Sequence, residues 1–408
     1  MLIKNIKTLA GILPPNKLRL CGEEMNTLAT IDNAYLLIEN GLIKEFGKMA
    51  DCPDYQGETI DASGKMVFPA FCDSHSHIVF AGSREGEFLD KINGLSYEEI
   101  AKRGGGIINS AKLLHQTSED ELYEQALKRL KMVVGFGTGA LEIKSGYGLN
   151  TEDEIKMLRV IRRLRENSDM EIRATFLGAH AFPEQYKGCE NDYVDLICDE
   201  MLPQISSDDL ADFIDVFCDR GFFTVEQTAK ILEAGKKYGL RGKIHANELD
   251  FSGGVQVGVK YNALSVDHLE NSGKNEIAAL KNSDTMPTGL PGCSFFSNLP
   301  YAPLKQLIDS GLSVALATDF NPGSTPSGNM KFALSLACIK MRLTPAQAIN
   351  AATINGAYAM GISQTHGSIT VGKVANMFIT NEIPTVAYIP YSYTEPIIDK
   401  MILKGKVF

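Results

Sequence analysis

Apolar positions in the first 65 residues come in short runs separated by turn residues. Leu2–Leu9 is the first run. Ala34–Ile38 (AYLLI) leads into Asn40-Gly41, a dipeptide that favours a tight hairpin because both residues accept positive φ. Leu42–Phe46 is the return strand, and Thr59–Asp61 is a further short one. From Met66 to about Ile362 the texture changes to apolar strands alternating with amphipathic stretches. The expected strands are Met66–Asp73, Thr138–Lys144, Glu171–Ala179, Asp212–Cys218, Gly242–Asn247, Ala263–His268, Thr285–Gly289 and Ser313–Asp319. Between them, Thr151–Glu166 opens with acids in its first turn, where they favour a helix N-terminus. Thr224–Tyr238 opens with TVEQ and stops at Gly239, a capping box and a C-terminal glycine. Thr344–Met360 has Pro345 just inside its start and Gly361 after its end, and is expected as one helix. Gly367–Phe408 returns to strand-like text.

Eight strands with interposed helices predict a closed parallel (β/α)8 barrel of the TIM type, an α/β fold. An open doubly wound sheet is the alternative. The chain has 408 residues, which suits a barrel of roughly 250 residues with an appended domain. The expected division is a barrel over residues 66–362, with residues 1–65 and 363–408 pairing into one small composite β-sandwich.

The ionisable groups sharpen this picture. Five of the seven histidines lie at or just past the C-terminal ends of expected strands: His75, His77, His180, His245 and His268. Asp319 closes the eighth strand. A barrel of this type builds its active site at that face, whichever chemistry it runs. His75 and His77 are two residues apart, so in extended backbone both imidazoles project to one side and can share an ion. With His245 and Asp319 they make a plausible four-ligand site, and imidazole plus carboxylate suits Zn²⁺, Fe²⁺ or Mn²⁺. A coordination position left to water would make such a site catalytic. Histidines serving only as packed or surface residues would instead scatter along strands and helices. His115 and His366 fall outside the pattern and read as surface or loop residues. Lys144, on the second strand, reads as a hydrogen-bonding anchor.

Composition narrows the partners. Net charge is −10, with 22% charged and 44% hydrophobic residues, and no Lys/Arg block interrupts the acidic balance. Nucleic acid and anionic membrane surfaces are thereby disfavoured as partners. One local arginine can still bind an anionic small molecule. The eight cysteines form no CxxC pair, which points away from a zinc ribbon or disulfide framework and toward a reducing cytoplasm. MLIKNIKTLAGILPP has no signal-peptide pattern, and no apolar run reaches membrane-spanning length.

The segments PAFCDSHSHIVFAGSREGEF, SYEEIAKRGGGI, LEIKSGYGL, LGAHAFP, IHANEL, SVDHLE and ALATDFNPGS run from Pro69 to Ser324. Together they resemble the amidohydrolase superfamily. His-x-His carries only the superfamily. SREGEF, GGGI, KSGYGL and DFNPGS resemble its metal-dependent ring hydrolases of histidine degradation. The resemblance implies the barrel with a composite β-sandwich, and His75, His77, His245 and Asp319 as ligands of one divalent ion per subunit, Zn²⁺ or iron. The fourth strand ends VFCDRG, without the lysine that bridges two ions in related hydrolases.

The reaction implied is hydrolysis of the cyclic amide of 4-imidazolone-5-propanoate to N-formimidoyl-L-glutamate. His268 would polarise the carbonyl or stabilise the oxyanion. Asp319 would take the water's proton and pass it to the leaving nitrogen, and Glu248 would hydrogen-bond the ring or the attacking water. His180 and Asn321 would hold polar edges of the ring. Arg84 would meet the propanoate in two parallel bonds, with Tyr97 and Tyr147 as hydroxyl donors and Gly323 and Ser324 adding backbone and hydroxyl groups. The plain alternative for Arg84 is a surface arginine paired with Glu85 or Glu87. The resemblance also implies a homodimer. Two competing functions are a related amidohydrolase acting on another small cyclic amide or amidine, and a non-catalytic scaffold, which retention of all four ligands disfavours.

Overall fold

The computed structural model describes residues 1–95 and 105–408. Its N-terminal part is the expected series of short strands: β1 (Leu2–Ala10), β2 (Thr30–Glu39), β3 (Leu42–Lys48), β4 (Thr59–Asp61) and β5 (Lys65–Pro69). The β2–β3 turn is made by Asn40 and Gly41 at φ 51° and 77°, the left-handed pair that such a hairpin needs. Three strands from the far end of the chain, β14 (Met377–Glu382), β15 (Ile398–Leu403) and β16 (Lys406–Val407), complete this sheet. Its order is β16-β15-β14-β5-β1-β2-β3, with β4 beside β1. The β3 edge curls back onto the run into β14: the Ile43 N–H donates to the Lys373 carbonyl at 2.8 Å, and the Gly372 N–H to the Ile43 carbonyl at 2.8 Å. The sheet therefore closes on its own apolar core, which includes Ile3, Leu36, Ile43, Val67, Met377 and Ile402.

The expected strand Met66–Asp73 is two strands belonging to two sheets. β5 pairs with β1 and β14, whereas β6 (Phe71–Asp73) pairs with β7 (Thr138–Lys144). Pro69 has no N–H to give a ladder, so pairing ends there. The next donors turn elsewhere: the Ala70 N–H goes to the Asn376 carbonyl at 3.0 Å and the Phe71 N–H to the Gly137 carbonyl at 2.9 Å.

The second sheet continues with β8 (Glu171–Ala179), β9 (Phe213–Cys218), β10 (Arg241–Ala246), β11 (Ser265–His268), β12 (Met286–Gly289) and β13 (Ala315–Leu316). Each strand pairs in parallel with the next. The barrel closes between the segments that follow β6 and β13, through a parallel bridge of Ser76 with Phe320. The Asp319 N–H donates to the His75 carbonyl and the His77 N–H to the Phe320 carbonyl, both at 2.9 Å. Thr318 adds its N–H at 2.9 Å and its hydroxyl at 2.6 Å to the Asp73 carboxylate. The seam is thus built from the backbone of the candidate ligands. Forming it draws the chain out of the ladder early, so the eighth strand is shorter than expected.

The helix expected over Thr344–Met360 is broken into Pro345–Ala352 and Ile354–Ala359 at Thr353, whose φ and ψ are −117° and −93°. The bend presses the second piece onto β6, where a Cβ on Gly356 would lie 2.3 Å from the Cys72 carbonyl oxygen. His115 is an exposed helix residue bonded to Asp153. His366, expected near the surface, is buried in its loop. Burial, then the nearby charge of Arg173, lowers its pKa to about 4. All eight cysteines are free thiols. Among the described residues, no helix is long and apolar enough to cross a membrane.

Candidate active site

His75, His77, His245 and Asp319 are all buried. The His75 Nδ1 lies 2.7 Å from Asp267 Oδ2, and the His245 Nδ1 lies 3.1 Å from Asp215 Oδ1. A carboxylate on Nδ1 fixes the proton there and turns the Nε2 lone pair the other way. The Nε2 atoms of His75 and His77 stand 3.3 Å apart, and each is 3.5 Å from Asp319 Oδ1. The His245 Nε2 has no hydrogen-bond partner. Ligand atoms of His75, His77 and Asp319 lie within 4.8 Å of one another, as do those of His75, His245 and His268. Burial, reinforced by Lys144 at His75 and by His180 at His77, holds both pKa values well below the usual histidine range. The rings are therefore neutral, the ligand form. Converging bare imidazole nitrogens around one carboxylate oxygen fit a divalent cation and little else.

Behind the histidines runs a buried ionic network. Lys144 Nζ meets Glu142 Oε1 at 2.6 Å and Asp215 Oδ2 at 2.8 Å. Lys243 Nζ meets Glu142 Oε2 at 2.9 Å and the Ser74 carbonyl at 2.7 Å. Both lysines stand 3.9 Å from Asp267 Oδ2. Burial alone would raise the Asp215 pKa, but His245 and Lys144 outweigh it and hold the carboxyl well below the usual range. Asp215 and Asp267, which orient the two histidines, are thus themselves held by lysines. Lys144 is the anchor its strand position implied. Glu142, Asp215, Lys243 and Asp267 were not singled out in the sequence. The available signal was period-two spacing, since Glu142-x-Lys144 and Lys243-x-His245 each put two ionisable groups on one strand face.

His268 ends β11 at φ 82°, a strained value for a side-chain-bearing residue. Its Nδ1 is 3.6 Å from Glu248 Oε2 and 3.7 Å from Glu270 Oε2. Burial opposes its charge, but Glu248 first, then Cys293 and Glu270, raise the His268 pKa well above the usual range. Burial also raises Glu248, and takes Asp319 up to about 6. His180 donates from Nδ1 to the Gly146 carbonyl at 2.9 Å, and its ring stacks on His77 with centroids 5.3 Å apart. Burial, then the charge of His245, lowers its pKa to about 3, which leaves Nε2 a bare acceptor.

The Asn321 amide is committed to its own turn. Its oxygen accepts the Gly323 and Ser324 N–H groups, both at 2.8 Å, and its nitrogen donates to the Asp319 carbonyl at 2.8 Å. Arg84 is only 10% exposed at its side chain, with Nη2 2.6 Å from Glu87 Oε2. The pairing expected of a surface arginine is present, but in a largely covered setting. Glu87 Oε1 in turn accepts the Gly106 N–H and the Asn109 amide, both at 3.1 Å. Gly323 makes room for the guanidinium, since a Cβ there would lie 2.2 Å from Arg84 Nη1. Tyr147 is buried beside His180, ring centroids 5.4 Å apart. Tyr97 lies outside the described residues.

One cavity of about 430 Å³ brings His77, His245, His268 and Asp319 together with Arg84 and Gly323. Phe217, Phe222 and Phe296 wall it, and no local motif marked them.

Comparison with known proteins decides the family. The amidohydrolase family model matches residues 66–408. An imidazolonepropionase from Christiangramia forsetii is 55% identical over 408 residues, covering 100% of this chain and 99% of that protein. The chain belongs to the imidazolonepropionase branch of the amidohydrolase family. An imidazolonepropionase from Clostridium tetani shares 41% identity over 390 residues, 95% of this chain and 93% of that one. Among solved structures, an atrazine chlorohydrolase from Arthrobacter aurescens complexed with zinc superposes with a TM-score of 0.74 at 16% identity, over 100% of this chain and 94% of that one. That likeness shows the fold alone. Membership makes the chain a hydrolase of a carbon–nitrogen bond in a cyclic amide and metal-dependent like its family.

Proposed function

We propose that the cavity hydrolyses the cyclic amide of 4-imidazolone-5-propanoate to N-formimidoyl-L-glutamate. One observation carries the reading: the metal donors His77, His245 and Asp319 and a pinned, largely covered guanidinium line the same cavity. His75, His77, His245 and Asp319 would hold one divalent ion, Zn²⁺ or iron. When bound, that ion supplies an activated water at neutral pH and an electrophile for the carbonyl.

The chain's own residues do the rest. His268, charged through Glu248, presents an N–H to the carbonyl oxygen as it gains charge. Asp319, whose carboxyl burial has already raised, accepts the water's proton and returns it to the departing ring nitrogen. The neutral His180 accepts a hydrogen bond from a ring N–H. Glu87 takes the Nε and Nη2 edge of Arg84, which leaves Nη1, beside Gly323, for the propanoate. Ser324 flanks that position, and Tyr147 closes the pocket beside His180. Asn321 acts by shaping the loop, through the bonds it makes there. The family resemblance supports a homodimer, and the unpaired cysteines support a reducing cytoplasm.

The test compares 4-imidazolone-5-propanoate with the same ring lacking the propanoate. The charged substrate is expected to be turned over with a kcat/KM about 10–150-fold higher, the worth of a charge-assisted pair of about 1.5–3 kcal/mol. Equal kcat/KM for the two would contradict the carboxylate site, and turnover of neither would sink the reaction.

A further inference from the structure

Beside the four expected ligands stands a second group of soft and borderline donors that the proposed reaction leaves partly unused. Ligand atoms of Glu248, His268 and Cys293 lie within 4.8 Å of one another. Cys293 Sγ is 3.6 Å from Glu248 Oε1, and His268 Nδ1 is 3.6 Å from Glu248 Oε2. Glu270 Oε2 is 3.7 Å from the same nitrogen, while its other oxygen accepts from Ser294 Oγ at 2.9 Å. The His268 Nδ1 and Glu270 Oε2 atoms have no hydrogen-bond partner, although His268 is only 2% exposed and Glu270 only 6%. Orphaned buried polar atoms are rare and ask for an explanation. One thiol sulfur, one imidazole nitrogen and one carboxylate within 4.8 Å of one another, with a second carboxylate 3.7 Å from the imidazole nitrogen, are a donor set for a soft or borderline cation. None of these donors except His268 also falls in the His75 clusters.

We propose that Cys293, His268, Glu248 and Glu270 form a second cation site, selective for a thiophilic divalent ion such as Zn²⁺ or Cd²⁺, whose filling stops turnover. Binding forms the Sγ–metal and Nδ1–metal bonds. The thiol proton and any proton on Nδ1 leave to solvent, with no change of oxidation state. Glu248 and His268 line the cavity, so an ion reaches them by the substrate's own route. Once bound, it withdraws His268 and Glu248 from the carbonyl. Excess zinc would then inhibit the enzyme that needs one ion to work. This inhibitory consequence rests on the proposed reaction; the binding itself does not.

The experiment titrates Cd²⁺ into protein already carrying its first metal. Three quantities are followed: bound metal by elemental analysis, the ultraviolet thiolate-to-cadmium band, and turnover. The expected result is one additional Cd²⁺ per chain with retention of the first metal, growth of the band, and a loss of turnover of at least tenfold. Cys293→Ser should lose the band and need at least tenfold more Cd²⁺ for the same inhibition. Cys293→Ala serves the same purpose should serine disturb folding. A wild-type protein that takes up no further Cd²⁺, or releases its first metal instead, overturns the proposal. So does a band equally strong in Cys293→Ser, because it would come from another cysteine. A protein that binds Cd²⁺ as described but turns over no imidazolone supports the site and overturns only the reaction.

Discussion

Gly323→Ala is a test of the carboxylate anchor that leaves every polar group in place. Gly323 has no left-handed backbone requirement, so alanine there costs little in the main chain. The effect comes from space. The new Cβ would stand 2.2 Å from Arg84 Nη1 and 2.6 Å from Cζ, where ordinary contact begins at 3.4 Å. The guanidinium must move by about 1.2 Å, the difference between 3.4 and 2.2 Å. Glu87 holds its other edge at 2.6 and 2.9 Å, so the movement carries Nη1 away from the propanoate position. A shift of that size takes a hydrogen bond beyond useful length. Losing about half of a charge-assisted pair of about 1.5–3 kcal/mol costs about 0.8–1.5 kcal/mol, or about 4–13-fold in affinity. Steady-state kinetics with 4-imidazolone-5-propanoate should therefore show KM raised about 4–13-fold and kcat changed by less, the signature of lost uniform binding. Arg84→Ala should raise KM by about 10–150-fold. The double variant should be no worse than Arg84→Ala, since the two changes remove one interaction. An unchanged KM in Gly323→Ala, or an equal loss on the analogue without the carboxylate, would refute the reasoning.

Three further substitutions probe the rest of the site. His268→Ala should lower kcat by about 10²–10⁴-fold with one metal still bound; loss of the metal would make His268 a ligand. Asp215→Asn removes the carboxylate that orients His245 and should weaken metal binding by about 10–100-fold in a chelator competition, so an unaltered affinity would show that His245 needs no such support. Lys144→Met leaves Glu142 and Asp215 short of a buried cation and should cost about 3–5 kcal/mol in urea unfolding; a loss under about 1 kcal/mol would mean that the network is held by Lys243 alone.

Much of this architecture was legible locally. Asn40-Gly41 announced its hairpin, Thr224 and Gln227 announced their capping box, and the histidines marked the strand ends that face the cavity. What escaped depended on partners distant in sequence. Met66–Asp73 reads as one strand, and only the competing edges of β14 and β7 split it at Pro69. The Thr344–Met360 helix carries no proline past its first turn, and its bend at Thr353 follows from how tightly Gly356 packs on Cys72. Glu142, Asp215, Lys243 and Asp267 look unpromising one at a time because charged residues rarely survive burial alone. They make sense only as a set, which the barrel assembles from four strands. Asn321 lines the cavity, as a substrate contact would, and its bonds within its own turn were not legible in the sequence.

The central claim is that opening of the imidazolone ring needs one divalent ion held by His75, His77, His245 and Asp319. It is tested by stripping the purified protein with a chelator and returning Zn²⁺ or Fe²⁺ in fractional steps. N-formimidoyl-L-glutamate production is followed on the same samples that are analysed for metal. The account predicts no turnover without metal and a linear rise that ends at one equivalent per chain. Turnover by the stripped protein, or a rise that continues to two equivalents, would contradict it.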